Sequence, residues 1–131
     1  TLPMAKMVGE GGTVIAADLQ PEMLERLRAR AEKRGIRNTI HYHVCGVDRI
    51  GITMKADFVL AFYMVHEVPD PGLFFRETRK MILPGGRLLY VEPKFHVTRN
   101  RFRETIERAE FAGWRQVDFR KIALSRTALL E

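Results

Sequence analysis

The sequence predicts an α/β protein: a mostly parallel sheet with helices on both faces, finished by a C-terminal antiparallel hairpin. Three observations predict it. Short apolar runs alternate with amphipathic stretches of helical length, the pattern of βαβ units. Proline and glycine mark where those stretches start and stop. The last two strand-like runs are joined by a connection too short for a helix, which makes them a hairpin.

The elements follow in order. Residues 2–8 read as the end of a helix, closed by Gly9 and the flexible 10–12 segment. Residues 13–17 (TVIAA) form a continuous apolar run, as expected of a strand buried on both faces, and end at Asp18. Pro21 opens a helix to about Arg34, with Met23, Leu24, Leu27 and Ala31 on one stripe and Gly35 as the stop. Strands are expected at 39–44 and 57–62. From Asp70 a helix covers 72–82, with Leu73, Phe74, Thr78, Met81 and Ile82 on its buried side. Pro84-Gly85-Gly86 breaks the chain sharply before a strand at 87–92. An amphipathic helix at 100–112 turns Phe102, Ile106, Ala109 and Phe111 inward, and Gly113 ends it. The hairpin strands are expected at 115–121 and 125–130.

Composition narrows the function classes. Over 131 residues, 46% are hydrophobic and 29% charged, which argues against disorder. The longest apolar run, 58–65, is too short to span a bilayer, and no signal peptide opens the chain. The single cysteine, Cys45, cannot form an internal disulfide, so a cytoplasmic setting is expected. His41 and His43 share one face of a strand, but no metal-ligand pattern surrounds them and no metal is expected. The net charge of +6 admits a nucleic-acid partner. The basic residues are nevertheless spread over helical faces and interleaved with Glu, which favours ordinary solvated helices.

In an open parallel sheet, ligands bind beyond the carboxyl ends of the strands. The residues placed there are Asp18, the Cys45-Gly46-Val47-Asp48 turn, the stretch 63–67 and the stretch 92–96. A carboxylate ending a strand can accept both hydroxyls of a ribose, in NAD or in S-adenosylmethionine alike. The glycine-rich loop that accompanies such an acid precedes it by about 20 residues, and no such loop precedes Asp18.

Three segments carry a resemblance. Val14-Ile15-Ala16-Ala17-Asp18 with Gln20-Pro21-Glu22-Met23-Leu24 resembles the second strand and following helix of class I S-adenosylmethionine-dependent methyltransferases. Ala56 to Leu60 followed by Met64-Val65-His66-Glu67-Val68-Pro69-Asp70 resembles their fourth strand and its loop. Met81-Ile82-Leu83-Pro84-Gly85-Gly86 running into Arg87 to Glu92 is similar to their turn into strand five. The nearest likeness is to small-molecule enzymes of the ubiquinone/menaquinone-biosynthesis type, and the fold implied is Rossmann-like. The family's first strand, between those ending at Asp18 and Phe62, and its glycine loop belong before Thr1. The chain is therefore expected to be a single methyltransferase domain, 1–131, truncated at its N-terminus.

The resemblance implies S-adenosyl-L-methionine as cofactor and a small-molecule acceptor. Asp18 would hold the ribose hydroxyls and Leu19 would pack on the adenine. Gly46, Val47 and Asp48 would lie at the adenine edge, with Val47 where the family places an acid. Phe62, Tyr63 and Met64 would lie beside the methionine end. A base is needed only where the acceptor must lose a proton; His66 is the first candidate, with Glu67 beside it and His96 as a second. Three alternatives stay open: an RNA methyltransferase using the basic 98–108 helix, an NAD-dependent oxidoreductase, and a non-catalytic truncated domain. The acceptor and the oligomeric state are left undecided by the residues.

Overall fold

A computed structural model describes residues 1–131, in two compact units, Thr1–Ile52 and Thr53–Glu131. In the N-terminal unit, α1 (Leu2–Met7) precedes β1 (Val14–Asp18), α2 (Pro21–Glu32) and β2 (Ile40–Val44). β1 and β2 pair in parallel, Val14 opposite Ile40 and Asp18 opposite Val44. Pro21 stands at the first helical position of α2, where its missing N–H costs nothing. Leu24, Leu27 and Ala31 turn inward and pack with Leu2 and Ala16, joined by Ile36, Ile40 and Tyr42. Met23, expected on that stripe, is exposed.

The C-terminal unit holds β3 (Ala56–Phe62), α3 (Pro71–Met81), β4 (Ile82–Pro93), α4 (Arg99–Phe111), β5 (Gln116–Asp118) and β6 (Ser125–Leu130). Its sheet runs β3-β4-β6-β5, with β3 parallel to β4 and the rest antiparallel. The α/β class and the terminal hairpin are as expected. The strands form two sheets, β1-β2 and β3-β4-β6-β5. β3 is therefore an edge strand, and Phe58, Leu60 and Phe62 on one of its faces are exposed.

Asp70 caps α3, its Oδ1 accepting from the Leu73 N–H at 3.1 Å, and Thr98 caps α4 through the Arg101 N–H at 3.2 Å. The core is aromatic. Phe75 meets Tyr90 edge-on at 5.8 Å, Tyr90 stacks on Phe102 at 4.8 Å, and Trp114 donates its Nε1–H to the Phe75 carbonyl at 2.9 Å. Leu88, Val91, Ala128 and Leu130 complete it from β4 and β6.

Four expectations are corrected. Pro84-Gly85-Gly86 does not end the strand but bulges within it: Ile82 pairs with Ala56 and Arg87 with Phe58, so residues 83–86 stand opposite Asp57 alone. Gly85 supplies φ 79° there, and a Cβ on Gly86 would fall 2.8 Å from the Asp57 carbonyl oxygen. The buried side of α3 is Phe74, Phe75 and Thr78, with Leu73 and Met81 half-buried and Ile82 already in β4. Phe111 is 91% exposed, because it lies two positions past Ala109 and so turns off the stripe of Phe102, Ile106 and Ala109. β5 stops at Asp118, three residues short of the expected Lys121.

Candidate functional site

Within the N-terminal unit, the end of β1 and the turn after β2 meet. The Asp18 carbonyl accepts from the Cys45 N–H at 2.8 Å, and Asp18 Oδ1 accepts from the Gln20 N–H at 2.9 Å. That local bond fixes the carboxylate at the mouth of the strand. Leu19 beside it is 51% exposed and Val47 78%, large apolar surfaces with little of the unit covering them. In the turn, a Cβ on Gly46 would meet Asp48 Oδ1 and the Arg49 side chain at 3.3–3.4 Å, tighter than ordinary contact. A fixed carboxylate, exposed apolar side chains and a close glycine turn fit a nucleoside: hydroxyls to the acid, the base's face to Leu19 and its edge to the turn at Val47. His43 is held apart from this turn, its Nε2 donating to the Ile50 carbonyl at 2.7 Å. No group of three or more His, Cys, Asp or Glu is placed to hold a metal ion.

In the C-terminal unit, a 3-10 turn, Val65–Glu67, follows β3. Phe62 is exposed, and its ring lies 4.3 Å from that of Tyr63. Tyr63 occupies the left-handed region, φ 57°, a conformation that costs a bulky residue on the order of 1–3 kcal/mol. Two bonds hold it there: its N–H donates to the Val91 carbonyl at 2.9 Å, and its hydroxyl bonds Ser125 Oγ at 2.6 Å. Met64 begins the 3-10 turn, its carbonyl accepting from the Glu67 N–H at 3.1 Å.

His66 is the best-held polar group in this unit. Glu92, at the end of β4 and 0% exposed, accepts twice from it. Its Oε1 takes the His66 backbone N–H at 3.1 Å and its Oε2 takes Nδ1 at 2.5 Å. The His66 carbonyl accepts from Arg101 of α4 at 3.2 Å. The His96 ring lies parallel to that of His66 at 5.9 Å, and the exposed Glu67 carboxylate is 3.8 Å from Nε2. The three expected catalytic residues, His66, Glu67 and His96, thus come together. Burial, and then the Glu92 carboxylate, push the neighbouring Tyr90 phenol well above its usual range, against the smaller lowering effects of the Thr105 hydrogen bond and Arg101.

Sequence reasoning placed Glu92 among the residues beyond the strands without giving it a role, and passed over Arg101 and Ser125. The available signal was an acid continuing the apolar run Leu88-Leu89-Tyr90-Val91: a carboxylate at such a position is buried, and a buried carboxylate has a donor.

Residues 1–90 match the family model described as the methyltransferase domain. The chain belongs to that family. Among curated relatives, this methyltransferase domain is 31% identical over 93 residues to the ubiquinone/menaquinone biosynthesis C-methyltransferase UbiE of Pectobacterium atrosepticum, an alignment covering 70% of this chain and 37% of the relative. It is 32% identical over 94 residues to the aklanonic acid methyltransferase DauC of a Streptomyces species, covering 71% and 42%. The chain thus spans well under half the length of these relatives. Among solved structures, a SAM-dependent methyltransferase from Aquifex aeolicus superposes with a TM-score of 0.82 at 23% identity, covering 98% of this chain and 73% of that one. That likeness shows the fold, which is Rossmann-like as expected.

Proposed function

We propose that the protein transfers a methyl group from S-adenosyl-L-methionine to a small-molecule acceptor. The observation that carries the reading is the Asp18 carboxylate, fixed at the end of β1 by the Gln20 N–H, which its Oδ1 accepts at 2.9 Å. Family membership and the names of the relatives support it; the RNA, oxidoreductase and non-catalytic alternatives have no such support. In this reading Asp18 binds the ribose hydroxyls, Leu19 covers the adenine, and Gly46, Val47 and Asp48 border the adenine edge. The family resemblance assigns the methionine end to Phe62, Tyr63 and Met64, and the reaction to His66, Glu67 and His96. When bound, S-adenosylmethionine would supply an electrophilic methyl group, and any proton to be lost would be the acceptor's own. The protein's contribution is alignment, with proton removal added where the acceptor needs it. The single cysteine suits a cytoplasmic setting.

Calorimetric titration of S-adenosylhomocysteine, with NAD as control, tests the reading. The expected result is micromolar binding of S-adenosylhomocysteine alone, weakened at least about tenfold in Asp18→Ala, a loss of about 1.4 kcal/mol. Absence of binding by folded protein would overturn it.

A further inference from the structure

Glu92 has one arrangement with His66 that decides where the imidazole proton sits. Both carboxylate oxygens are engaged by this one residue, Oε1 by the backbone N–H and Oε2 by Nδ1. A carboxylate can only accept, so Nδ1 carries the hydrogen and neutral His66 keeps its lone pair on Nε2. Glu67, whose carboxylate lies 3.8 Å from Nε2, is itself only an acceptor and has no hydrogen to give that lone pair. Turning the ring over would put Cδ2 in the place of Nδ1 and leave Glu92, 0% exposed, short of a donor.

From this geometry we infer that Glu92 is a positioning residue that holds His66 as the Nδ1–H tautomer, with Nε2 placed to take a proton from the methyl acceptor. The inference rests on the methyltransferase reading and deepens it. The acceptor's O–H or C–H proton passes to Nε2, and its bonding pair remains on the acceptor as the nucleophile. The imidazolium so formed is paired with Glu92 and passes the proton on to water. A tertiary amine or thioether has no proton to lose at the reacting atom and gives such a base nothing to do.

The test uses the intact protein labelled with 15N, and long-range proton–nitrogen correlation of the imidazole of His66, identified by its loss in His66→Gln. Wild-type protein, above the pH at which His66 becomes neutral, is expected to show Nδ1–H. In Glu92→Gln the amide oxygen is required by the His66 backbone N–H, which leaves the NH2 group facing Nδ1. That donor forces the hydrogen to Nε2, and the tautomer inverts. Glu92→Asp, which keeps a carboxylate, is expected to retain Nδ1–H. An Nε2–H tautomer in wild-type protein would overturn the inference without any variant having to fold. The base at Nε2 is read with para-nitrophenol added to protein saturated with S-adenosylhomocysteine. The yellow phenolate fraction should rise over that in buffer, and the rise should vanish in Glu92→Gln; no rise in wild type overturns the role of Nε2 as proton acceptor. Failure to bind S-adenosylhomocysteine, with the tautomer as stated, would instead sink the methyltransferase reading.

Discussion

The two units hold their polar groups in opposite ways. At the end of β1, Asp18 is fixed by its own neighbourhood: a backbone N–H two residues on and a strand partner, with Leu19 and Val47 left exposed beside it. In the C-terminal unit, Glu92 is sealed beneath the surface and held by groups from the turn after β3, while Arg101 of α4 grips the same turn. The first arrangement is cheap to build and leaves a surface open to a ligand. The second depends on the packing of the whole sheet around it, and what it fixes is the state of a proton. Binding by exposed strand ends and proton handling by buried pairs therefore load stability onto different residues.

The sharpest way to break that comparison is to open the packing of the C-terminal unit. Phe75→Ala removes a fully buried ring from between α3 and β4 and is expected to cost about 3–5 kcal/mol, read by chemical denaturation. His66→Ala leaves the Glu92 carboxylate buried without its side-chain donor and is expected to cost about 3 kcal/mol. Tyr90→Phe loses one buried hydroxyl bond to Thr105, about 1 kcal/mol, and has a pH signature. The Tyr90 pKa is raised in the fold, so its contribution is fully present below the unfolded value of 10.0 and is lost as pH climbs toward the folded value. Wild-type stability should therefore fall in that alkaline window, and fall less in Tyr90→Phe. Smallest of all, Asp18→Ala is expected to change stability by less than about 0.5 kcal/mol while weakening S-adenosylhomocysteine binding. A loss of stability in Asp18→Ala equal to that in His66→Ala would erase the distinction between the two units.

Local chemistry explains which parts were legible in advance. Pro21 begins α2, the third helix follows Asp70, and β6 occupies the expected 125–130, because each signal lies within a few residues of the structure it sets. The Asp18 and 45–48 placements were legible for the same reason, as strand ends. The bulge at 83–86 was not, since Pro84-Gly85-Gly86 reads equally as a turn; the partner strand through Asp57 decides it. Phe75 was missed and Phe111 misassigned because a stripe's edge depends on what packs against it. The Glu92–His66 pair joins residues on different strands' ends, and no spacing in the sequence encodes their approach.

Tyr63 bears on how this sequence can change over generations. Its backbone, at φ 57°, suits glycine, asparagine or aspartate, but its phenol anchors Ser125 on β6, which none of those can reach. Phenylalanine would keep the strain and drop the anchor; glycine would relieve the strain and drop it too. Ser125 keeps a bond of its own, its Oγ donating to the Ala123 carbonyl at 3.1 Å, so a change at Tyr63 sets relief of strain against the loss of one cross-link. A substitution at either residue is felt at the other, though they lie 62 positions apart in the chain.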